Sequence, residues 1–252
     1  AEDVAEAGGA RLDDLAAAAD RGKALDVMTE GVAVVTRRLF DQGRFDGIMS
    51  MGGGGGTAMG TSAMRVLPVG VPKLMVSTVA SGDTSAYVGT TDITMMPSIV
   101  DVAGLNRISR TIFSNAAGAI CGMVSGERTP GAGDNRPLMA ASMFGNTTRA
   151  VDHIRQLLEA RGYEVLVFHA TGTGGKTMEM LVGQGYFDGV VDLTTTEWAD
   201  ELCGGVLSAG PSRLEAAASS GTPQVVTPAC LDMVNFWAPE TIPARYHDRL
   251  FH

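Results

Sequence analysis

Aromatic side chains are scarce in this chain, 6% of residues, and charged ones make up only 19%. A core so poor in rings must be closed by aliphatic and small side chains. No apolar run approaches the roughly 18 residues of a membrane-spanning helix, which excludes a span of that kind. Cysteine is rarer still: Cys121, Cys203 and Cys230 are odd in number and widely spaced. They exclude a disulfide framework and fit a reducing, cytoplasmic setting. His153, His169, His247 and His252 form no His-Glu-x-x-His pattern and no Cys-x-x-Cys exists, so zinc has no footing. A Gly-x-Ser-x-Gly elbow is also missing, and with it an esterase nucleophile. Lys and Arg total 19 against 28 Asp and Glu, a formal charge of -9, which leaves no broad basic face for nucleic acid.

Glycine, by contrast, is abundant: 33 residues of 252, in a chain that is 45% hydrophobic. Glycine at that level without a collagen period points to an α/β protein with many tight strand-to-helix turns. The length allows two cores of about 100–150 residues each. Apolar residues at three- and four-residue steps predict a helix over 11–43, capped near Gln42-Gly43. A buried strand is expected at 45–51, then the run Gly52 to Gly56 as a loop, a helix over 57–67 and a strand over 73–78. Residues 93–96 read as a short strand. The stretch 105–125 reads as a helix rich in small residues, of the kind buried on more than one side. Residues 126–137, polar with two prolines and three glycines, form the best linker. Beyond it strands are predicted at 138–143, 164–169, 188–193 and 224–227. Helices are predicted at 147–161 and 174–183, with a broken helical region over 198–219.

A short internal repeat accompanies this order. Gln-Gly-x-Phe-Asp-Gly precedes the strands beginning near Ile48 and Val190, and Gly-x-Pro precedes those beginning near Lys73 and Gln224. The expected fold is therefore α/β, two Rossmann-like parallel-sheet units related by that repeat: residues 1–125, the linker 126–137, and residues 138–252. The first copy lacks strand–helix units that precede the repeat in the second, and the end at Phe251-His252 follows no closing element. Truncation at both ends is the expectation. A single (β/α)8 barrel is the alternative that the length permits, against which the repeat and the linker count.

Three loops could carry chemistry. Strand, glycine loop and helix together present backbone N–H groups and a positive helix end to an anion. Gly53, Gly54, Gly55 and Gly56 have that arrangement, with Thr57 offering a hydroxyl at the helix start. The string from His169 to Thr177 ends in Gly-Lys-Thr and resembles a phosphate loop with its first glycine replaced by Ala170. It reads as a glycine-rich anion loop and not a true NTPase motif, with Lys176 in reach of a phosphate; a solvent-facing lysine on the first helical turn is the alternative. The loop at Ser77, Thr78, Ser81 and Asp83 should neighbour the first glycine loop at the carboxyl ends of strands. Asp92 and Asp101 could hold Mg2+ or a ribose, and Arg128 or Arg136 in the linker could clamp a phosphate.

Long strings carry a family resemblance: Gly-Gly-Gly-Gly-Gly-Thr-Ala-Met-Gly-Thr, Thr-Val-Ala-Ser-Gly-Asp, Thr-Asp-Ile-Thr-Met-Met-Pro-Ser-Ile-Val-Asp-Val-Ala-Gly-Leu-Asn-Arg-Ile and Thr-Gly-Thr-Gly-Gly-Lys-Thr-Met-Glu. Through them nearly the whole chain resembles the ATP-binding domain family typified by the tomato mosaic virus resistance protein, an inhibitor of viral RNA replication. The resemblance implies two Rossmann-like halves holding ATP with Mg2+, and a homodimer. The implied binding residues are Gly53, Gly54, Gly55, Gly56, Thr57, Ser77, Thr78, Asp101, Arg128, Arg136, Gly172, Thr173, Gly174, Gly175 and Lys176. A nucleotide-binding module that orders a surface for a protein partner is thus the leading expectation. An enzyme acting on ATP or another phosphorylated metabolite is the alternative.

Overall fold

The computed structural model describes residues 1–126 and 135–249. Arg128 and most of the expected linker lie outside them. The chain divides into two compact units, Ala1–Thr129 and Pro130–His252. Among the described residues no helix is long and apolar enough to cross a membrane.

In the first unit the order is α1 (Glu2–Ala7), α2 (Leu12–Ala18), α3 (Arg21–Asp41), β1 (Ile48–Gly52), α4 (Gly54–Arg65), β2 (Lys73–Ser77), α5 (Ser85–Val88), β3 (Thr94–Pro97) and α6 (Arg107–Ser125). The helix expected over 11–43 is two helices. Ala19 turns left-handed at φ 50°, and the Asp20 carboxylate caps α3 by accepting from Lys23 N–H at 3.1 Å. The strands form a parallel sheet in the order β1-β2-β3, with Ile48 opposite Lys73 and Leu74 opposite Thr94. β2 is central and buried along its whole length. Its first residue, Lys73, is fully buried, and its ammonium donates to Pro68 O, Val71 O and Asp92 Oδ1 at 2.7, 3.0 and 2.8 Å. Asp92 also accepts from Gly70 N–H at 2.7 Å. A buried ammonium needs such partners, so Asp92, expected as a Mg2+ or ribose ligand, serves the fold. α6 starts on a capping box between Asn106 and Ser109. It lays Ile112, Phe113, Ala116 and Ile120 on Leu74 and Val76. The expectation of burial on more than one side is corrected: Gly118, Cys121 and Gly122 are exposed.

The second unit contains β4 (Leu138–Met143), α7 (Thr148–Glu159), β5 (Glu164–His169), α8 (Thr173–Gly183), β6 (Gly189–Thr194), α9 (Thr196–Cys203), α10 (Ala216–Ser220) and β7 (Gln224–Ala229). Its parallel sheet runs β5-β4-β6-β7. One face packs Ala140, Met178, Val182, Phe187, Val190 and Ala217 together, and the other packs Ala141 and Val165 on Val151. The strands that follow the Phe-Asp-Gly strings take different places, β1 at the edge of its sheet and β6 inside the other. Ile48 N–H donates to Pro72 O at 2.8 Å, and Val190 N–H to Pro223 O at 2.9 Å.

The cluster under β2 yields a stability prediction. Leu74 is fully buried, and Leu74→Ala should lower the unfolding free energy by about 2–5 kcal/mol. Urea unfolding measures it; a loss below about 1 kcal/mol would show that this cluster is not the core of its unit.

Candidate functional site

The glycine run is the opening turn of a helix, and only in part a loop. Gly53 is the N-cap of α4, in extended conformation at φ -79°, and Gly54, Gly55 and Gly56 are the first three helical residues. Each such residue brings an N–H group with no partner inside the helix. The N–H groups of Gly54, Gly55 and Gly56 have no acceptor among the described residues. Two flanking glycines are demanded by packing. A Cβ on Gly52 would lie 2.9 Å from Gly56 Cα, and one on Gly60 would lie 2.5 Å from Ser50 Oγ. Gly53 to Gly56 are not demanded in that way. Their Cβ positions stand 3.6–3.8 Å from the nearest atoms, an ordinary contact, and none has a positive φ.

Thr57 does not offer its hydroxyl outward. It is fully buried, bonded to Gly53 O at 2.8 Å and to Ser77 Oγ at 2.6 Å. Ser77, also buried, accepts from Val79 N–H at 3.1 Å through Oγ and from Ser98 N–H at 3.0 Å through its carbonyl. These two residues therefore tie α4, β2 and the end of β3 together behind the site. Thr78 faces solvent instead, and a Cβ on Gly53 would come within 3.6 Å of its Oγ1. Thr78 and Asp101 line a cleft of about 510 Å³ with Ser81, Ser98 and Ile99, at the carboxyl ends of β2 and β3. Tyr87, on α5, has its phenol oxygen 3.8 Å from the Cβ position of Gly54. Sequence reasoning missed Tyr87, Ser98 and Ile99, because no residue pattern marks a cleft edge.

The second glycine turn is arranged otherwise. The Glu197 carboxylate, from the start of α9, is fully buried against it and accepts from Gly172 N–H at 2.7 Å and Gly175 N–H at 3.1 Å. Two of the amides expected to meet a phosphate thus meet an internal carboxylate. Here sterics require the glycines: a Cβ on Gly175 would fall 2.2 Å from Glu197 Oε2, and one on Gly174 would fall 1.9 Å from His169 O. Gly172 adds a left-handed φ of +82°. Thr173 and Lys176 lie exposed on the first turn of α8. Arg136, just ahead of β4, is exposed as well.

Behind Glu197 stands a buried arginine. Arg213 donates Nε to Glu197 Oε2 at 2.7 Å and two nitrogens to Asp192 at 2.5 and 2.6 Å. It also donates to Glu179 Oε1 at 2.9 Å, and Glu179 in turn accepts from the N–H groups of Leu214 and Ala216. Burial opposes the Arg213 charge, but Asp192 and then Glu197 outweigh it and raise its pKa. Ser142 and Thr194 complete the polar layer, with Ser142 Oγ 2.6 Å from Asp192 Oδ1 and 3.1 Å from Thr194 O. Between β4 and β6 the strand order reverses, the usual crevice for ligands; here those side chains are spent on one another.

Burial holds the Glu197 carboxyl above its ordinary range, against the opposing pull of Arg213 and the two amides. An acid whose pKa is raised on folding stabilises the native state fully below its unfolded value. That contribution is lost as pH rises through the folded value. The stability of the wild-type chain minus that of Glu197→Gln should accordingly fall as pH rises above about 4.3, the ordinary glutamate value. Thermal melts at a series of pH values test this, and a difference independent of pH would refute it.

Comparison with known proteins adds a family. The N-terminal domain of the uncharacterised protein family UPF0261 matches residues 1–129, and its C-terminal domain matches residues 136–252. A UPF0261 protein of Clostridium tetani is 53% identical over 248 residues, 98% of this chain and 61% of that protein. One of Mesorhizobium japonicum is 51% identical over 235 residues, 92% of this chain and 57% of the relative. The ToMV resistance protein Tm-1(GCR237) of Solanum lycopersicum is 41% identical over 236 residues, 92% of this chain and 31% of its own. The ToMV susceptible protein tm-1(GCR26) of the same plant matches with the same figures. This chain thus spans about 60% of the length of the bacterial relatives named. Matched along both units, the chain belongs to the uncharacterised protein family UPF0261.

Proposed function

We propose that the first unit binds a nucleoside triphosphate, ATP with Mg2+, with the phosphates on the opening turn of α4. The observation that carries this reading is Gly54–Gly56. Neither a positive φ nor a crowded Cβ position calls for glycine there, and glycine has a lower helix propensity than alanine. What the turn offers in exchange is bare N–H groups at the positive end of a helix dipole, which suits a phosphate. Thr78 stands beside it to add a hydroxyl. Among the described residues no group of three or more His, Cys, Asp or Glu side chains is arranged to hold a metal. The Mg2+ enters with the nucleotide, on its phosphates.

On this reading the two units are copies of one design. The first leaves the amides of Gly54, Gly55 and Gly56 open to a ligand, whereas the second gives those of Gly172 and Gly175 to Glu197. Nucleotide binding orders the first unit as a surface for a protein partner, a second copy of the chain included. Antiviral activity is no part of the proposal, because the resistance and susceptible proteins of tomato are equally similar to this chain.

Calorimetric titration with MgATP is the test. Gly54→Val should weaken binding at least about tenfold, a loss of about 1.4 kcal/mol, since its branches would stand where the phosphate approaches. The fold should survive, because the nearest atom to that Cβ is the Tyr87 phenol oxygen at 3.8 Å. Lys176→Ala should leave affinity unchanged. Equal affinity of Gly54→Val and wild type would overturn the assignment of this turn, and a loss confined to Lys176→Ala would move the site to the second unit.

A further inference from the structure

The second sheet has two edge strands, and they differ in how readily another strand could join them. β7 contains Pro228, which lacks an N–H group, and its register with β6 shifts between Asp192 and Thr194. β5 has no such interruption. Its six residues, Glu164–His169, include no proline, glycine, lysine or arginine, and they pair with β4 in unbroken register. A regular edge of that composition is a ready template for a further strand. The order β5-β4-β6-β7 carries the later strands away from β5, so among the described residues the winding of this unit does not return to cover it.

The ladder fixes which groups lie open. Glu164 N–H donates to Pro137 O at 3.0 Å and Ala170 N–H to Met143 O at 2.7 Å, so the even-numbered residues turn their backbone groups toward β4. By alternation Val165 and Val167 turn theirs to the open side. His169 follows the same alternation, but its carbonyl already accepts from Thr171 N–H at 2.8 Å. Side chains alternate as well. Phe168 packs with the cluster under α8 and Val165 with the one under α7, so Leu166 lies on the α8 face and Val167 on the α7 face. These two apolar side chains remain 39% and 38% exposed.

We infer that β5 pairs with β5 of a second copy of this chain, antiparallel, about a two-fold axis at Leu166. In that register Val165 of each copy exchanges N–H and carbonyl bonds with Val167 of the other, which uses the open groups. Leu166 meets its own copy as a non-hydrogen-bonded pair, where side chains approach most closely. The exposed leucine and valine are thereby covered, one on each face of the sheet. Charge fits this direction too. The Glu164 end of one strand lies beside the His169 end of the other, a carboxylate end against an imidazole end, whereas parallel pairing in register would set Glu164 along Glu164. The two-fold axis closes the association at two copies.

The test is analytical sedimentation of the full chain and two variants in nucleotide-free buffer. Wild type should sediment as a dimer. Leu166→Lys and Leu166→Glu should each raise the dimer dissociation constant at least about tenfold, since each sets like charges opposite one another on the axis. Both should keep the wild-type circular dichroism spectrum, because Leu166 is not buried in the fold. An equimolar mixture of the two folded variants should recover the dimer, as the ammonium of one then faces the carboxylate of the other. A wild-type chain that stays monomeric overturns the proposal. Undiminished dimerisation of both variants overturns it too, by placing the contact elsewhere, and so does a mixture that remains monomeric. Nucleotide plays no part in this contact, so its failure leaves the reading of the first unit untouched.

Discussion

A helix that follows directly on a buried parallel strand must find acceptors for its first N–H groups, and these two units answer that demand differently. At α8 the answer is internal. Glu197 accepts two of the amides, Arg213 neutralises Glu197, and Asp192 and Glu179 hold Arg213 in place. At α4 the first three amides have no acceptor among the described residues, and the turn that carries them reaches the surface. Each arrangement is stable on ordinary grounds: a buried donor needs a partner, whereas an accessible one has water or a ligand.

The internal answer demands the whole network. A carboxylate buried as fully as Glu197 or Asp192 is tolerable only when paired and hydrogen-bonded, and removing one partner strands the others. That explains why the segment from Gly210 to Ala216, irregular in its backbone, is still fixed. Trp198 Nε1 holds the Arg213 carbonyl at 3.0 Å, and Glu179 takes the amides of Leu214 and Ala216. Asp200, buried one helical turn beyond Glu197, clips Asn235 in the same manner, by its N–H at 2.6 Å and its side chain at 2.9 Å.

Glycine serves two purposes in this protein, and the distinction lies in space. At Gly52, Gly60, Gly174 and Gly175 a side chain would strike a neighbour, so glycine there lets helix and strand approach. At Gly54, Gly55 and Gly56 no neighbour is close enough to object. Those three leave backbone exposed at the cost of helix stability, and exposed backbone is what a ligand can use. Residue type alone does not separate the two uses.

Much of the fold was legible in advance. The expected strands 138–143 and 164–169 coincide with β4 and β5, since short apolar runs bounded by turn residues suffice to mark buried parallel strands. α1 was not foreseen, because its place depends on fitting against α3, where Gly31 leaves room for the Val4 carbonyl. Of the candidate site, the glycine turn and Thr78 with Asp101 were readable from strand ends, but Thr57 and Ser77 proved to be bonded to each other inside. By itself the sequence determined the parallel α/β order and where glycine turns occur, since both follow from local period and composition. Only the tertiary structure decided that Gly172 and Gly175 give their amides to Glu197. Glu197 lies 25 and 22 residues along the chain from the amides it caps, and a contact so distant leaves no local pattern to read.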